Sequence, residues 1–266
     1  MTERHQLDVA GTTIAYADHG GDGPPTLLVH GITECDEVWR PIIDRLIPDR
    51  RVYTMDLRGH GASGPGPGYD LESMAGDVVA VLQATGTLGD AHLVGHSLGG
   101  MVVSAVGAGA PTASIVNVDQ SLKLGSFKEQ LGGFESMLRD PATFPSVIDG
   151  LFAHLGGETI DPEEMARVNA LRAPKQDVVL SVWDLVFSLS EDEINAIIEA
   201  ALAAYAGNDV PYLTLFGVEP EPGYHDWLSG FITNATTEAW PGDGHYPHLV
   251  DPDRFVARLQ EFWTTA

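Results

Sequence analysis

The chain has 266 residues, 44% hydrophobic and 20% charged, a composition that fits a globular core and excludes a disordered chain. Fourteen Lys and Arg stand against 38 Asp and Glu, a formal net charge of −24 that argues against nucleic acid and anionic membrane surfaces and favours neutral substrates. The single cysteine, Cys35, excludes an intramolecular disulfide and a cysteine-rich metal site.

In chain order, "QLDVAG" and "TTIAYADHG" form a predicted hairpin through Gly11. The opening segment has no apolar core of a signal peptide, and no apolar run nears the ~18 residues of a membrane helix. A cytoplasmic protein with no membrane partner is therefore expected. "PTLLVHG" is a buried strand, "DEVWRPIIDRLI" a helix with a first turn or boundary at Pro41, and "RVYTMD" a strand. "LESMAGDVVAVLQATG" is an amphipathic helix that stops at Gly86. "AHLVGHS" is a strand, "LGGMVVSAVGAGA" a helix and "ASIVNVD" a strand. From 121 to about 205 every segment reads as helix, several with an Asp or Ser before them as N-cap. "PYLTLFG", "GYHDWLSGF", "ATTEAW" and "DPDRFVARLQEFWTT" then alternate strand and helix. The order implies an α/β fold with a mainly parallel sheet. Residues 1–120 and 206–266 form the core, and 121–205 an all-helical lid over the carboxyl ends of the strands.

The chemistry centres on Gly95-His96-Ser97-Leu98-Gly99, a G-x-S-x-G pattern between a strand and a helix. That context makes Ser97 a nucleophile candidate, presented at a helix N-terminus that favours developing negative charge. In its sequence the chain resembles the α/β-hydrolase family over nearly its whole length. The motifs that carry the resemblance are "GHSLGG", "HGITE", "DLRGHGASG" and "GDGHYPHLVDPDRF". The resemblance implies an eight-stranded sheet flanked by helices. It also implies an oxyanion hole from the backbone N–H groups of Ile32 and Leu98, His245 as base, and no metal or organic cofactor.

The acid is the open position. Many relatives carry Gly-x-x-Asp after the penultimate core strand, but here Gly217-Val218-Glu219-Pro220 puts proline there. Asp119, ending the apolar strand "ASIVNVD", is the preferred acid, with Glu219 and Glu221 as alternatives. His248 is expected to pack or form a wall, His30 to order the oxyanion loop and His60 to serve a tight turn.

"GITEC", the early acid and "WPGDGHYPHLVDPDRF" further resemble fungal zearalenone lactonases, which open an aromatic macrolactone. The histidine in the nucleophile motif and the aspartate acid depart from that group. The resemblance puts Trp183 against substrate, although a tryptophan among Val, Leu and Phe also fits lid core. Glu34 and His96 join Trp183 as candidate pocket residues, with Cys35 beside Glu34 at the mouth. The expected activity is hydrolysis of neutral hydrophobic carboxylic esters, with a macrolactone hydrolase or a slow-turnover ligand receptor as alternatives. The expected partner is a small ester or lactone, the protein being a monomer or homodimer.

Overall fold

Two strands open the chain, β1 (Glu3–Val9) and β2 (Thr12–Asp18). Ala10 and Gly11 join them with φ of 44° and 82°, the primed turn whose twist suits a two-residue hairpin. The structure, a computed structural model, describes residues 2–153 and 155–265. β3 (Pro25–Val29) leads to a short 3-10 turn (Asp36–Trp39) that runs into α1 (Arg40–Leu46), with Pro41 in its first turn, where no amide donor is needed. Then come β4 (Arg51–Met55), α2 (Leu71–Thr85), β5 (His92–His96), α3 (Leu98–Gly109) and β6 (Ser114–Val118). Asp70 caps α2 by accepting from Ser73 N, and Gly86 ends it in the left-handed conformation at φ 69°.

The chain then leaves the sheet for α4 (Gly125–Gly132), α5 (Glu135–Arg139), α6 (Phe144–Phe152), α7 (Pro162–Leu171), α8 (Gln176–Val182), α9 (Asp184–Ser188) and α10 (Glu191–Leu202). Two predicted helices are each broken in two. "GSFKEQLGGFESMLRD" parts at Gly133 and Phe134, and "KQDVVLSVWDLVFSLS" parts at Trp183. Of the predicted helix "PSVIDGLFAHLG", residue 154 lies outside the described residues. Ser190 and Glu193 close a capping box at the start of α10. β7 (Tyr212–Phe216), α11 (Tyr224–Ser229), β8 (Ala235–Ala239), α12 (Pro247–Val250) and α13 (Pro252–Thr265) complete the fold.

The eight strands lie in the order β1-β2-β4-β3-β5-β6-β7-β8. β1 and β2 pair antiparallel, as do β2 and β4, and every other neighbour is parallel. A parallel sheet buries both faces, and the residues alternate accordingly. Leu27 and Val29 join one core cluster with α2, α3 and α11, whereas Leu28 joins another with α1 and α13. A third cluster, including Leu131, Leu138, Phe144, Ile148 and Trp183, packs the lid helices on one another and on Ile32 of the core. Among the described residues no helix is long and apolar enough to cross a membrane.

Candidate active site

Ser97 sits in the sharp turn between β5 and α3, with φ 52° and ψ −121°. Such backbone costs a non-glycine residue about 1–3 kcal/mol and persists only where its surroundings enforce it. They do so by close approach. A Cβ on Gly95 would lie 2.1 Å from Gly99 O, and one on Gly99 would lie 2.2 Å from Val29 O. Only glycine lets the strand, the turn and the helix meet at this spacing. Ser97 N in turn donates to Val118 O at 2.9 Å, which ties the turn to β6.

Asp119 follows β6 directly and also carries a left-handed φ, 52°. Its N donates to Leu215 O at 2.8 Å, and its Oδ1 accepts from Gly217 N at 2.8 Å. Oδ2 then faces His245 Nδ1 at 2.6 Å. A carboxylate can only accept, so Nδ1 carries the proton and Nε2 is left free to take another. Glu219 and Glu221 are exposed, and Glu221 pairs with Lys123 at 2.6 Å. Gly217 keeps a place in the site although no acid follows it at the common spacing. A Cβ there would lie 1.8 Å from Gly244 O, so it admits the loop that carries His245, and Gly244 N donates to Gly217 O.

Ser97, Asp119 and His245 line one cavity of about 900 Å³ beneath the lid. Ile32 and Leu98 line it too, and among the described residues no group accepts from the N–H of either. Two such donors beside a serine suit an oxygen that gains negative charge. Trp183 belongs both to the lid core and to the cavity wall, 7% exposed, with Phe127 and Phe187 at its ring edges.

Glu34 and His96 require a correction: neither lines the cavity, and the side chains of both are buried. Cys35, half-buried, is likewise outside the lining. Glu34 accepts from Gly31 N at 3.0 Å and from Tyr246 Oη at 2.8 Å. His96 Nδ1 lies 3.4 Å from it and the Arg172 guanidinium 3.6 Å. Burial alone would raise the Glu34 carboxyl, but His96, Arg172 and the Tyr246 hydrogen bond hold it well below its ordinary 4.5. His96 Nε2 donates to the backbone oxygen of His245 at 2.8 Å. One buried carboxylate thus links the loop of Gly31 and Ile32 to the loop of His245.

Arg172 reaches this cluster from the lid. It donates to Thr33 Oγ1 at 2.8 Å and to Tyr246 Oη, and it lies 4.0 Å over the Phe152 ring. Thr33, a β-branched residue at φ 68°, is held further by Ala173 N, which donates to its carbonyl at 2.8 Å. Arg172, Tyr246 and Thr33 are absent from the sequence-based site. Only "GITEC" hinted that this loop was special.

His30, His60 and His248 are structural. His30 Nε2 accepts from Leu57 N at 3.1 Å, and its Nδ1 bonds Gly31 O at 2.7 Å. His60 bonds Arg58 O, and burial pushes its imidazole down to about 3. His248 is fully buried, 4.7 Å from the Trp39 ring and 4.6 Å from His96.

Fold and site together define a hydrolase whose Ser97 sits in a strained strand-to-helix turn. Comparison with known proteins agrees: the model of the alpha/beta hydrolase family matches residues 26–258. The chain belongs to that family. It is 25% identical over 268 residues to a pimeloyl-[acyl-carrier protein] methyl ester esterase of Aliivibrio salmonicida, covering 94% of this chain and 96% of that one. A shorter match, 37% identical over 99 residues, joins it to N-formylmaleamate deformylase of Pseudomonas putida and covers 36% of this chain and 37% of that one. Among solved structures, an esterase from Rhodococcus sp. superposes with a TM-score of 0.77 at 26% identity, covering 99% and 98% of the two chains.

Proposed function

We propose that the chain hydrolyses carboxylic esters of neutral, hydrophobic substrates through an acyl-enzyme on Ser97. One observation carries this reading: a strained serine and a His245–Asp119 pair joined at 2.6 Å open onto the same cavity. Ser97 Oγ attacks the ester carbonyl while His245 Nε2 takes its proton. Asp119 holds the imidazole in that tautomer and stabilises the charged ring. The Ile32 and Leu98 N–H groups hold the oxyanion. As the tetrahedral intermediate collapses, the bond to the alcohol oxygen breaks and His245 gives that oxygen its proton. Water then attacks the acyl-enzyme, losing its proton to His245, and Ser97 leaves with that proton as the free hydroxyl.

The test is release of p-nitrophenol from short p-nitrophenyl esters. Ser97→Ala is expected to lower kcat by about 10⁴-fold or more. A Ser97→Ala protein as active as the parent would defeat the reading. Repeated turnover separates an enzyme from a ligand receptor, which would stop after one equivalent of product.

The cavity volume, about 900 Å³, and Trp183 in its wall favour a second reading, hydrolysis of an aromatic macrolactone. Incubation with such a lactone should then give a product heavier by one water. No product under conditions where a simple ester turns over removes this second reading.

A further inference from the structure

The cavity does not end at Ser97. It continues along one face of α3, lined by Met101, Ser104, Ala105 and Ala108 at successive turns of the helix. Ala108 lies eleven positions beyond Ser97, and at about 1.5 Å of rise per residue that is roughly 16 Å of depth. The facing wall is α10, which contributes Ile194, Ile198, Ala201 and Leu202, again one helical face. Alanines stand on both walls of this arm, so the two helices pack without filling the space between them.

The arm offers almost nothing to hydrogen-bond. Ser104 Oγ, its one hydroxyl on α3, donates to Gly100 O at 2.6 Å and meets Tyr212 Oη at 2.7 Å. Elsewhere in the lining Asp70 is engaged by the α2 cap, Lys123 by Glu221 and Arg139 by Glu135, and the polar side chains of Ser126, Gln130 and Ser181 stand on α4 and α8, outside this arm. The opening is apolar as well, because Leu185, Ile197 and Val218, at 44%, 47% and 53% exposure, border the same cavity. A long, apolar space that begins at Ser97 favours a long, flexible apolar group.

We infer that the substrate carries an unbranched apolar chain, on the order of ten carbons, lying between α3 and α10 on one side of the scissile carbonyl. This rests on the ester-hydrolase reading above and narrows it to a substrate class. Full burial of each methylene adds up to roughly fourfold in kcat/KM.

The experiment compares two series, p-nitrophenyl alkanoates and alkyl acetates, from two to twelve carbons. In one series kcat/KM should rise at least about tenfold between four and ten carbons, which also tells whether the chain is acyl or alcohol. If both series are flat or fall beyond four carbons while short esters still turn over, the inference is wrong and the hydrolase reading stands. If no ester turns over in either series, both are wrong. Ala201→Trp and Ala105→Phe put bulk into the arm from opposite walls, Ala201 from an exposed position that tolerates it. Each should cut the ten-to-four-carbon ratio about tenfold, and that ratio does not depend on how much of the sample is folded. An unchanged ratio in both variants would overturn the assignment of the arm.

Discussion

Thr33, Ser97 and Asp119 hold positive φ at the carboxyl edge of the sheet, whereas among the described residues no non-glycine lid residue between 121 and 205 does so. The lid instead contributes aromatic and aliphatic side chains, among them Phe127, Leu180, Trp183 and Ile198, to the same cavity. The sheet edge therefore places atoms by strained backbone that parallel strands and close glycine contacts enforce. The lid shapes volume with side chains on short helices. On the proposed function, reaction chemistry and substrate choice are separable in this fold, and they meet at Arg172, a lid residue bonded to Thr33 and facing Glu34.

The sharpest break in that comparison is on the sheet side. Asp119→Asn is expected to lower kcat on a p-nitrophenyl ester on the order of 10⁴-fold, because the wrong imidazole tautomer faces Ser97. Glu219→Gln and Glu221→Gln, exposed and away from His245, should leave kcat within about twofold.

Next comes the joint. Arg172→Met strips the buried Glu34 carboxylate of its cationic lid partner, whose side chain is 8% exposed. Stability measured by urea unfolding should drop by about 3 kcal/mol. The effect should also depend on pH. Glu34, ionised in the fold and held below 4.5, contributes fully above that value. Its contribution is lost as pH falls from there through its lower folded value. A loss that is equal at pH 7 and well below pH 4 would contradict the assigned pairing.

On the lid side, Trp183→Ala should raise KM about tenfold and change kcat less, since it removes cavity wall and touches no reacting group. A larger fall in kcat than rise in KM would erase the division between chemistry and substrate choice.

The smallest effect belongs to the sheet side again. His248 is fully buried, and among the described residues neither of its ring nitrogens has a hydrogen-bond partner. Burial, then the neighbouring His96, keeps it uncharged well below 6.5. The unfolded chain takes up that proton first, so stability is lost as pH falls below 6.5, by about 1.4 kcal/mol per unit for this one group. His248→Phe should flatten that part of the acid profile. An unaltered slope would show that His248 does not titrate on unfolding.

The sequence carried much of this because the G-x-S-x-G turn, the strand alternation and the N-caps are local signals, complete within a few residues. Asp119 was legible for a different reason: Pro220 removes the common alternative, and a carboxylate ending an apolar strand needs a partner. The buried cluster was not legible. Glu34 meets Arg172 and Tyr246 across 138 and 212 positions, and a charged residue in "GITEC" reads most simply as facing a pocket. The breaks at Gly133 and Trp183 were hidden as well, since helical periodicity runs on unbroken through both.

The central claim, that Ser97 is a nucleophile activated by His245 and Asp119, can be tested directly by covalent labelling. Treatment with diisopropyl fluorophosphate, followed by intact-mass measurement and peptide mapping, should give one adduct, on Ser97. The adduct should form orders of magnitude more slowly in Asp119→Asn. An adduct on another residue, no adduct, or an undiminished rate in Asp119→Asn would contradict the account.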